Sequence, residues 1–422
     1  MNAKVTSAAI KLFSITIGFL INFYLASLLS KNDFGIYSAM VSLFSICLVF
    51  SNMGLSLSVI DLFPKTQTKE NLKYLQRKIF LYSISSSVVV GTVASIYAIK
   101  TNIISSETNH LIPITAVIVI VFFQNAHSIN IAALRSLQSF RLALTTESIL
   151  FNVVLIISIY YLFVNHTLAL YMPFLLAAST AFMLSYIFSL IKIAKFQDNI
   201  TNNSKRLDLN LTNLVPFMLL GLAEIITTNL DVLLVREFFG NEHTADYFLA
   251  KKLLIAFTFF WFIYNFIYTP KLSKLFTNKD QVDKNAVTQI LRLKWPVLFI
   301  STLCMFIANI FFDNIVLFFN LENYLGAKPY VALFSLFAFI HILTGPVVSF
   351  LNVTGLSSYS FKVVSFGAII FVVSFYPLQH FFGVIGVLIA LNLSLLAWKV
   401  LGIYIIRKAT GFNLLIGSYI GE

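Results

Sequence analysis

The chain has 422 residues, of which 59% are hydrophobic and only 11% are charged. Its mean hydropathy of +0.88 excludes a mainly water-soluble protein. The net charge is +12. Because the basic residues lie in alternate gaps between apolar runs, this charge indicates membrane topology and excludes a nucleic-acid-binding surface.

Apolar runs of bilayer length follow one another along the chain. Phe34 to Ile60 and Ile79 to Ile99 contain no Asp, Glu, Lys or Arg. Backbone groups in lipid have to satisfy their own hydrogen bonds, so each run is expected to be a helix. We predict an all-α polytopic membrane protein with about twelve transmembrane helices. Their bounds are 10–30, 36–60, 79–99, 111–134, 143–164, 168–191, 212–235, 246–269, 293–318, 329–354, 359–377 and 383–406.

The distribution of Lys and Arg predicts the orientation. If the N-terminus is cytoplasmic, the external gaps hold only Lys31, Lys100, Arg236 and Lys328. Apart from Lys251 and Lys252 at the start of the eighth span, all other basic residues lie in the internal gaps or near the cytoplasmic ends of the spans. We therefore expect both termini to be cytoplasmic, with anionic lipid headgroups as partners of the internal basic residues.

The longest polar internal segment separates six apolar runs from six. It predicts an N-terminal six-helix lobe at 1–195, a cytoplasmic linker at 196–211 and a C-terminal six-helix lobe at 212–422. An even number of spans gives both halves the same orientation, as in several transporter folds. The first external turns of the halves, 31–37 and 241–247, align weakly, because only their final tyrosines match.

The sequence contains no cofactor or metal motif. Cys47 and Cys304 both lie inside predicted spans, which argues against a disulfide. No Gly-x-x-x-x-Gly-Lys-Ser/Thr motif occurs, so nucleotide hydrolysis by this chain is excluded. The first apolar run continues to Leu29 without a small-residue cleavage site, which predicts a retained signal-anchor helix.

Polar residues recur at helical spacing on several predicted spans. In the eighth span Lys251, Thr258 and Asn265 are seven residues apart and share one face, whereas Lys252 points elsewhere. Such faces predict either a polar cavity wall or contacts between helices, since small and polar residues serve both purposes in membranes. The candidates for the cavity wall are Thr258, Asn265, Gln124, Ser128, Asn22 and Asn52.

Three basic residues on polar faces are candidates for binding an anionic group, namely Lys251, Arg135 and Lys11. A lysine ammonium is a compact charge that suits a phosphate oxygen. Arg135 lies at the cytoplasmic end of the polar face of span four. The alternative for Arg135 and Lys11 is that they extend to the lipid headgroups.

The seventh span is acidic, with Glu224 and Asp231 on one face. Glu224 is predicted several residues inside the membrane, where carboxylates are costly and usually functional. Both residues are candidates for coupling to a proton or sodium gradient. Asp231 and Lys251 fall near the external ends of consecutive spans, so a structural ion pair is as well supported as a substrate contact, and Arg236 is a competing partner.

Short motifs resemble those of bacterial polysaccharide transporters. They are Lys-Asn-Asp-Phe-Gly-Ile-Tyr at 31–37, Asn-Met-Gly-Leu at 52–55, Ala-Leu-Arg-Ser at 133–136 and Thr-Asn-Leu-Asp at 228–231, the last followed by Tyr247 and Lys251. The chain thus resembles the O-antigen and lipid-linked oligosaccharide flippases of the multidrug/oligosaccharidyl-lipid/polysaccharide exporter superfamily. Twelve spans fit this group, whereas the lipid II flippase relatives usually carry two more.

The resemblance implies two six-helix lobes around a central cavity and alternating access of that cavity. It implies an undecaprenyl-diphosphate-linked glycan, such as an O-antigen repeat unit of lipopolysaccharide, as the substrate. The implied location is the bacterial inner membrane. Membrane lipids and glycan polymerase machinery are the expected partners, and no cofactor and no nucleic acid are expected.

Other functions stay open at this point. A multidrug antiporter shares the fold but should carry a carboxylate in its N-terminal lobe, and span one has none. A membrane enzyme would need a catalytic constellation in a sizeable external loop, and the external loops are short. A channel would need a filter-like re-entrant loop, which the span pattern does not indicate. We therefore expect a transporter and not an enzyme.

Overall fold

The computed structural model describes residues 3–63, 69–103, 111–137, 139, 142–143, 145–164, 171–194, 221, 225, 228–276 and 282–420. The chain forms two compact units. The N-terminal unit comprises Met1–Ile21 and Ala39–Leu222, and the C-terminal unit comprises Asn22–Ser38 and Ala223–Glu422. Helices α1 and α2 are therefore each divided between the units. The lobe bounds 1–195, 196–211 and 212–422 stay a prediction.

The described part of the first half of the chain is mainly helical. Its helices are α1 (Ala3–Leu28), α2 (Lys31–Asn52), α3 (Leu55–Leu62), α4 (Lys69–Lys100), α5 (Leu111–Ser136), α6 (Phe151–Val164) and α7 (Tyr171–Ala194). A single π-helical turn at Thr145–Leu150 precedes α6. In the N-terminal unit, α3, α4 and α5 enclose an apolar core that includes Leu55, Leu72 and Ile129.

The second half is also mainly helical. Its helices are α8 (Leu230–Phe257), α9 (Phe259–Leu275), α10 (Lys284–Arg292), α11 (Lys294–Ile310), α12 (Phe312–Phe318), α13 (Lys328–Leu343), α14 (Val347–Val353) and α15 (Ser357–Thr410), with a 3-10 turn at Glu322–Ala327. A short antiparallel hairpin, β1 (Phe412–Asn413) and β2 (Ser418–Tyr419), follows α15 and pairs Phe412 with Tyr419. The hairpin packs on an apolar core with α9, α10, α14 and α15.

The all-helical membrane class is confirmed. Among the described residues seven helical stretches are long and apolar enough to cross a membrane, or eight if α8 and α9 form one bent span. The surface is apolar as well, since Phe299 is 72% exposed and Phe318 81% exposed. Side chains of this kind are stable at such exposure when lipid surrounds them. The chain is thus a multi-pass membrane protein, and the count of about twelve spans stays a prediction.

Helix breaks refine the predicted span bounds. The predicted single helix at 36–60 is wrong, because Met53 (φ 47°) and Gly54 (φ 78°) interrupt it and separate α2 from α3. Likewise the stretch 246–269 is not one straight helix, since Thr258 separates α8 from α9 with a bend of 48°. The 54-residue α15 contains a kink at Gly383 (φ 61°) and so covers both predicted spans at 359–377 and 383–406.

Candidate functional site

The charged candidates of the C-terminal unit meet because α8 folds back on itself at Gly240. A straight helix would separate residues 20 positions apart by about 30 Å. Gly240 has φ 84° and ψ −179°, a conformation that is strained for side-chain-bearing residues. The two arms of α8 therefore lie side by side, and Asp231 on the first arm contacts Lys251 on the second.

We call Thr228, Asp231, Tyr247 and Lys251 the Asp231 cluster. The Lys251 ammonium donates to both carboxylate oxygens of Asp231, with Nζ to Oδ1 at 2.7 Å and Nζ to Oδ2 at 2.6 Å. It also donates to the backbone carbonyl of Thr228 at 2.6 Å. The Tyr247 hydroxyl donates to Asp231 Oδ2 at 2.6 Å.

Burial is unequal across this ion pair. The side chain of Asp231 is fully buried, whereas that of Lys251 is 17% exposed. A buried carboxylate in a membrane protein requires a nearby positive charge and several donors, and the cluster supplies both. The lysine is thus the accessible member of the ion pair. The structural ion pair is present, and the substrate role of Lys251 stays a prediction.

Neighbouring basic residues have other contacts. The Lys252 ammonium lies 4.2 Å from the ring centroid of Phe248, which is a cation–π contact. Arg236, the competing partner for Asp231, donates from Nε to Asn241 Oδ1 at 2.8 Å. The different environments of Lys251 and Lys252 agree with their predicted separation around the helix.

The predicted straight stripe from Lys251 to Asn265 is wrong because the helix bends between them. Thr258 lies at the break between α8 and α9 and donates to the Leu254 carbonyl at 2.8 Å. Asn265 donates to the Trp261 carbonyl at 3.1 Å, and its buried Oδ1 has no hydrogen-bond partner in the described part of the chain. Seven-residue spacing places residues on one face only while the helix is straight.

A neutral polar cluster lies at the α2–α3 break of the N-terminal unit. Asn52 Nδ2 donates to Ser56 Oγ at 2.8 Å and to Asn125 Oδ1 at 3.1 Å. The hydroxyls of Ser56 and Ser128 are 3.1 Å apart. Asn125 Nδ2 also donates to the Ser51 carbonyl at 3.0 Å. We call these residues, Ser51, Asn52, Ser56, Asn125 and Ser128, the Asn125 cluster.

The Asn125 cluster supplies hydrogen bonds to backbone groups that the α2–α3 break leaves free. An interruption frees backbone groups, and lipid offers them no hydrogen bonds. The Ser51 carbonyl accepts from Asn125 and from Ser86 Oγ at 2.7 Å. The structure therefore brings together two of the predicted cavity-wall residues, Asn52 and Ser128, in contacts between helices.

The remaining candidates occupy separate places. Arg135 forms an ion pair with Glu147 of the π-helical turn, and the side chains are 35% and 32% exposed. Gln124 is half-buried, and Asn22 is buried within the C-terminal unit. The side chain of Lys11 and all of Glu224 lie outside the described residues.

Sequence reasoning missed an ion pair that joins two distant turns of the C-terminal unit. Lys31 Nζ lies 2.8 Å from Asp246 Oδ2 and donates to the Asn323 carbonyl at 2.9 Å. Asn241 Nδ2 donates to Asn32 Oδ1 at 2.9 Å. The turns at 31–37 and 241–247, compared above as weak repeats, thus contact each other. Their weak similarity was the available signal, but it gave no reason to expect contact.

Two buried lysines were also missed. Lys294 and Lys399 are 0% and 1% exposed. Lys294 donates to the carbonyls of Leu343, Leu414 and Leu415, and Lys399 donates to that of Gly345 at 2.8 Å. These contacts hold the cations at the C-terminal end of α13, where the helix dipole favours positive charge. Extension of Lys399 to the lipid headgroups, the alternative that its position near a span end suggests, is therefore not observed.

Comparison with known proteins identifies related sequences and structures. The family described as polysaccharide biosynthesis protein matches residues 5–276. Comparison with curated proteins found no match.

Solved structures with a similar fold include the lipid II flippase MurJ in an inward closed conformation. It has a TM-score of 0.67 at 13% identity and covers 96% of this chain and 87% of that chain. An inward-facing multidrug resistance MATE family transporter of the MOP superfamily has a TM-score of 0.64 at 14% identity, covering 95% of this chain and 97% of that chain. The MATE multidrug transporter DinF-BH has a TM-score of 0.61 at 14% identity, covering 98% and 96%. The chain has the fold of these transporters.

Proposed function

Because the chain belongs to the polysaccharide biosynthesis protein family, we propose that it is a flippase for polyprenyl-diphosphate-linked oligosaccharide. It moves the glycan headgroup from the cytoplasmic to the periplasmic leaflet by alternating access. The family match carries this proposal, and the fold shared with the lipid II flippase MurJ supports it. The substrate class comprises undecaprenyl-diphosphate-linked repeat units such as those of O-antigen.

The physical problem is the polar headgroup. Each sugar hydroxyl that leaves water without a partner costs about 2–7 kcal/mol, and a diphosphate costs far more. The polyprenyl tail can stay in the bilayer throughout. A flippase therefore has to offer neutral hydrogen-bonding walls and a few cations, while the tail remains in lipid.

A lysine and an arginine that are each paired with a carboxylate and partly exposed suit the diphosphate. Lys251 is 17% exposed beside a fully buried Asp231, and Arg135 is 35% exposed beside Glu147. Each cation can turn toward an anionic ligand while its carboxylate partner stays in place. We propose Lys251, Arg135 and Lys11 as diphosphate contacts and Thr258, Asn265, Gln124 and Asn22 as contacts of the glycan.

A cation-coupled multidrug antiporter is the second candidate. The specific observation in its favour is Asp231, a fully buried carboxylate held by a cation, in a chain with the fold of MATE transporters. In the flippase the same carboxylate is the candidate for coupling to an ion gradient, together with Glu224. Flipping driven only by removal of glycan on the far side is the uncoupled alternative.

The experiment that separates the candidates is transport by purified protein in liposomes. The flippase proposal expects movement of a lipid-linked glycan and no movement of ethidium. Ethidium transport without glycan movement would favour the antiporter and contradict the proposal. Collapsing the proton and sodium gradients in the same vesicles tests coupling, because insensitive flipping would remove the coupling role of Asp231.

The proposed location is the bacterial inner membrane with both termini cytoplasmic, next to the glycan polymerase machinery. Single cysteines at 65–77, 201–206 and 278–285 should resist an impermeant reagent applied outside intact spheroplasts. Labelling of these positions from outside would contradict the orientation.

A further inference from the structure

Five aromatic rings on three helices form a continuous patch on the N-terminal unit. Phe182 of α7 stacks on Phe123 of α5 with ring centroids 5.4 Å apart and on Tyr186 at 5.7 Å. Phe80 of α4 lies 6.4 Å from Phe182 and meets Phe122 of α5 edge-on at 5.6 Å. We call Phe80, Phe122, Phe123, Phe182 and Tyr186 the aromatic patch.

The aromatic patch faces away from the polar residues of α5. Successive helical residues are about 100° apart, so Gln124 points about 200° away from Phe122. Most of the rings are half-buried, and Tyr186 is exposed. The neighbouring side chains Ile84 and Met183 are apolar and exposed as well. In a multi-pass membrane protein, a surface of this composition contacts lipid chains.

One end of the aromatic patch carries positive charge. Helix α4 begins at Lys69, and Lys73, Arg77 and Phe80 lie on one face of it at positions i, i+4 and i+7. Lys73 and Arg77 are exposed, and neither forms an ion pair with a residue that the structure describes. The stretch 69–78 contains four basic residues and one acidic residue, a net charge of +3. The surface thus has an anion-attracting end and an apolar aromatic end.

A polar bridge lies between the two ends. Gln76 Nε2 on α4 donates to Ser189 Oγ on α7 at 3.1 Å. Lys73 and Phe80 are about 10 Å apart along the helix axis. The interfacial layer on each side of a bilayer is roughly 5–8 Å thick. The order of cations, hydrogen-bonding groups and rings therefore matches the order of phosphate, ester and acyl chain in a phospholipid.

We propose that the aromatic patch and its basic end form a binding site for one anionic phospholipid. The phosphate contacts Lys73 and Arg77, the second amide hydrogen of Gln76 is donated to an ester oxygen, and an acyl chain lies across the rings. Two cations without a carboxylate partner favour a headgroup with net negative charge over a zwitterionic one.

The bound lipid has a structural consequence. Helices α4 and α7 both pack along α5, and a lipid that touches Lys73 and Phe182 at once fastens α4 to α7. Binding to the folded state alone should therefore raise the melting temperature. The site does not depend on the proposed flippase activity, because it uses none of the residues proposed to contact the glycan or the diphosphate.

The charge requirement is tested by melting purified protein in detergent with dioleoyl phosphatidylglycerol or dioleoyl phosphatidylcholine. The two lipids have the same acyl chains, and only the first carries net charge. Phosphatidylglycerol should raise Tm by about 3 °C more than phosphatidylcholine. The double variant Lys73→Gln/Arg77→Gln should lose this difference, and because both side chains are exposed it should still fold.

Lys78→Gln is the matched control for general charge attraction. Lys78 is on the same helix but points about 200° away from Phe80, and its ammonium lies 6.0 Å from the ring centroid of Tyr74. This variant should keep the full difference between the lipids. An equal loss in Lys78→Gln and in the double variant would overturn the site, and so would equal Tm values of the wild type in the two lipids.

The position of the lipid is tested on wild type with a phosphatidylglycerol that carries a photoactivatable diazirine in one acyl chain. Cross-links mapped by mass spectrometry should concentrate at 80–84 and 182–187. Excess phosphatidylglycerol should suppress them, whereas phosphatidylcholine should not. The exposed apolar surface around Phe299 of α11 is the internal comparison, and labelling there should not respond to competitor.

Two results of the labelling experiment would overturn the proposal. The first is labelling of the aromatic patch that no lipid competes away, as expected for any lipid-facing surface. The second is stronger competition by undecaprenyl phosphate than by phosphatidylglycerol, which would assign the surface to a polyprenyl chain. Tyr186→Leu, which removes an exposed ring and keeps an apolar side chain, should reduce the competable labelling at least twofold.

Discussion

The Asn125 cluster of the N-terminal unit and the Asp231 cluster of the C-terminal unit both form where a helix is interrupted. The first is neutral, and its amides and hydroxyls bond one another and a freed backbone carbonyl. The second contains a fully buried carboxylate and a partly exposed lysine. Neutral groups that hydrogen-bond one another stabilise the fold. A partly exposed cation can instead leave its carboxylate and contact an anionic ligand.

The largest effect is expected from substitution of Lys251, and it distinguishes the Asp231 cluster from the Asn125 cluster. Lys251→Gln leaves the buried Asp231 carboxylate uncompensated, which should cost about 3 kcal/mol of unfolding free energy. Glycan transport in liposomes should be abolished. Denaturant unfolding in detergent measures the loss of stability. The liposome assay and the amount of surface glycan in cells measure the loss of transport.

Adding Asp231→Asn to Lys251→Gln should restore stability but not transport. Full recovery of transport in the double variant would identify a purely structural pair. The Asp231 cluster would then have only a structural role, like the Asn125 cluster.

A smaller effect is expected from Asn125→Ala. This change removes the donor to the Ser51 carbonyl and an acceptor of Asn52, which should cost about 1 kcal/mol. Ser86 still bonds the Ser51 carbonyl, so the break should survive. Stability should fall while the transport rate per folded molecule is unchanged, and a selective loss of transport would show that the neutral cluster contacts substrate.

Arg135→Gln should hardly change stability. The pair with Glu147 is about one-third exposed on both sides, and exposed pairs contribute about 0–1 kcal/mol. Transport should nevertheless fall tenfold or more if Arg135 contacts the diphosphate, with insertion measured by membrane immunoblot. Glu147→Gln is the matched control, and equal transport losses from both variants would indicate that only the pair matters.

Lys252→Gln should have the smallest effect. The ammonium contacts the Phe248 ring, an interaction of about 0.5–1 kcal/mol at a partly exposed site. Surface glycan should stay near the wild-type level. A loss as large as that of Lys251→Gln would show that the local positive charge matters and the contact with Asp231 does not.

The sequence by itself determined the membrane-spanning class, the helical content and several boundaries. The predicted gap between the spans at 329–354 and 359–377 is present, since α14 ends at Val353 and α15 begins at Ser357. These features are readable because hydropathy and backbone hydrogen bonding in lipid act locally along the chain. Lys251 and Lys252 were also separable from helical periodicity alone.

Only the tertiary structure decided which groups meet. Asp231 could pair with Arg236 or Lys251 on sequence grounds, and the reversal of α8 at Gly240 selects Lys251. The same applies to Lys294 and Lys399, whose carbonyl acceptors lie on other segments. Periodicity specifies the face of a helix on which a residue lies, but the partner on that face depends on backbone breaks such as those at Gly54, Gly240 and Thr258. Because these breaks redirect whole helices, contacts between distant residues follow from the folded chain and not from spacing.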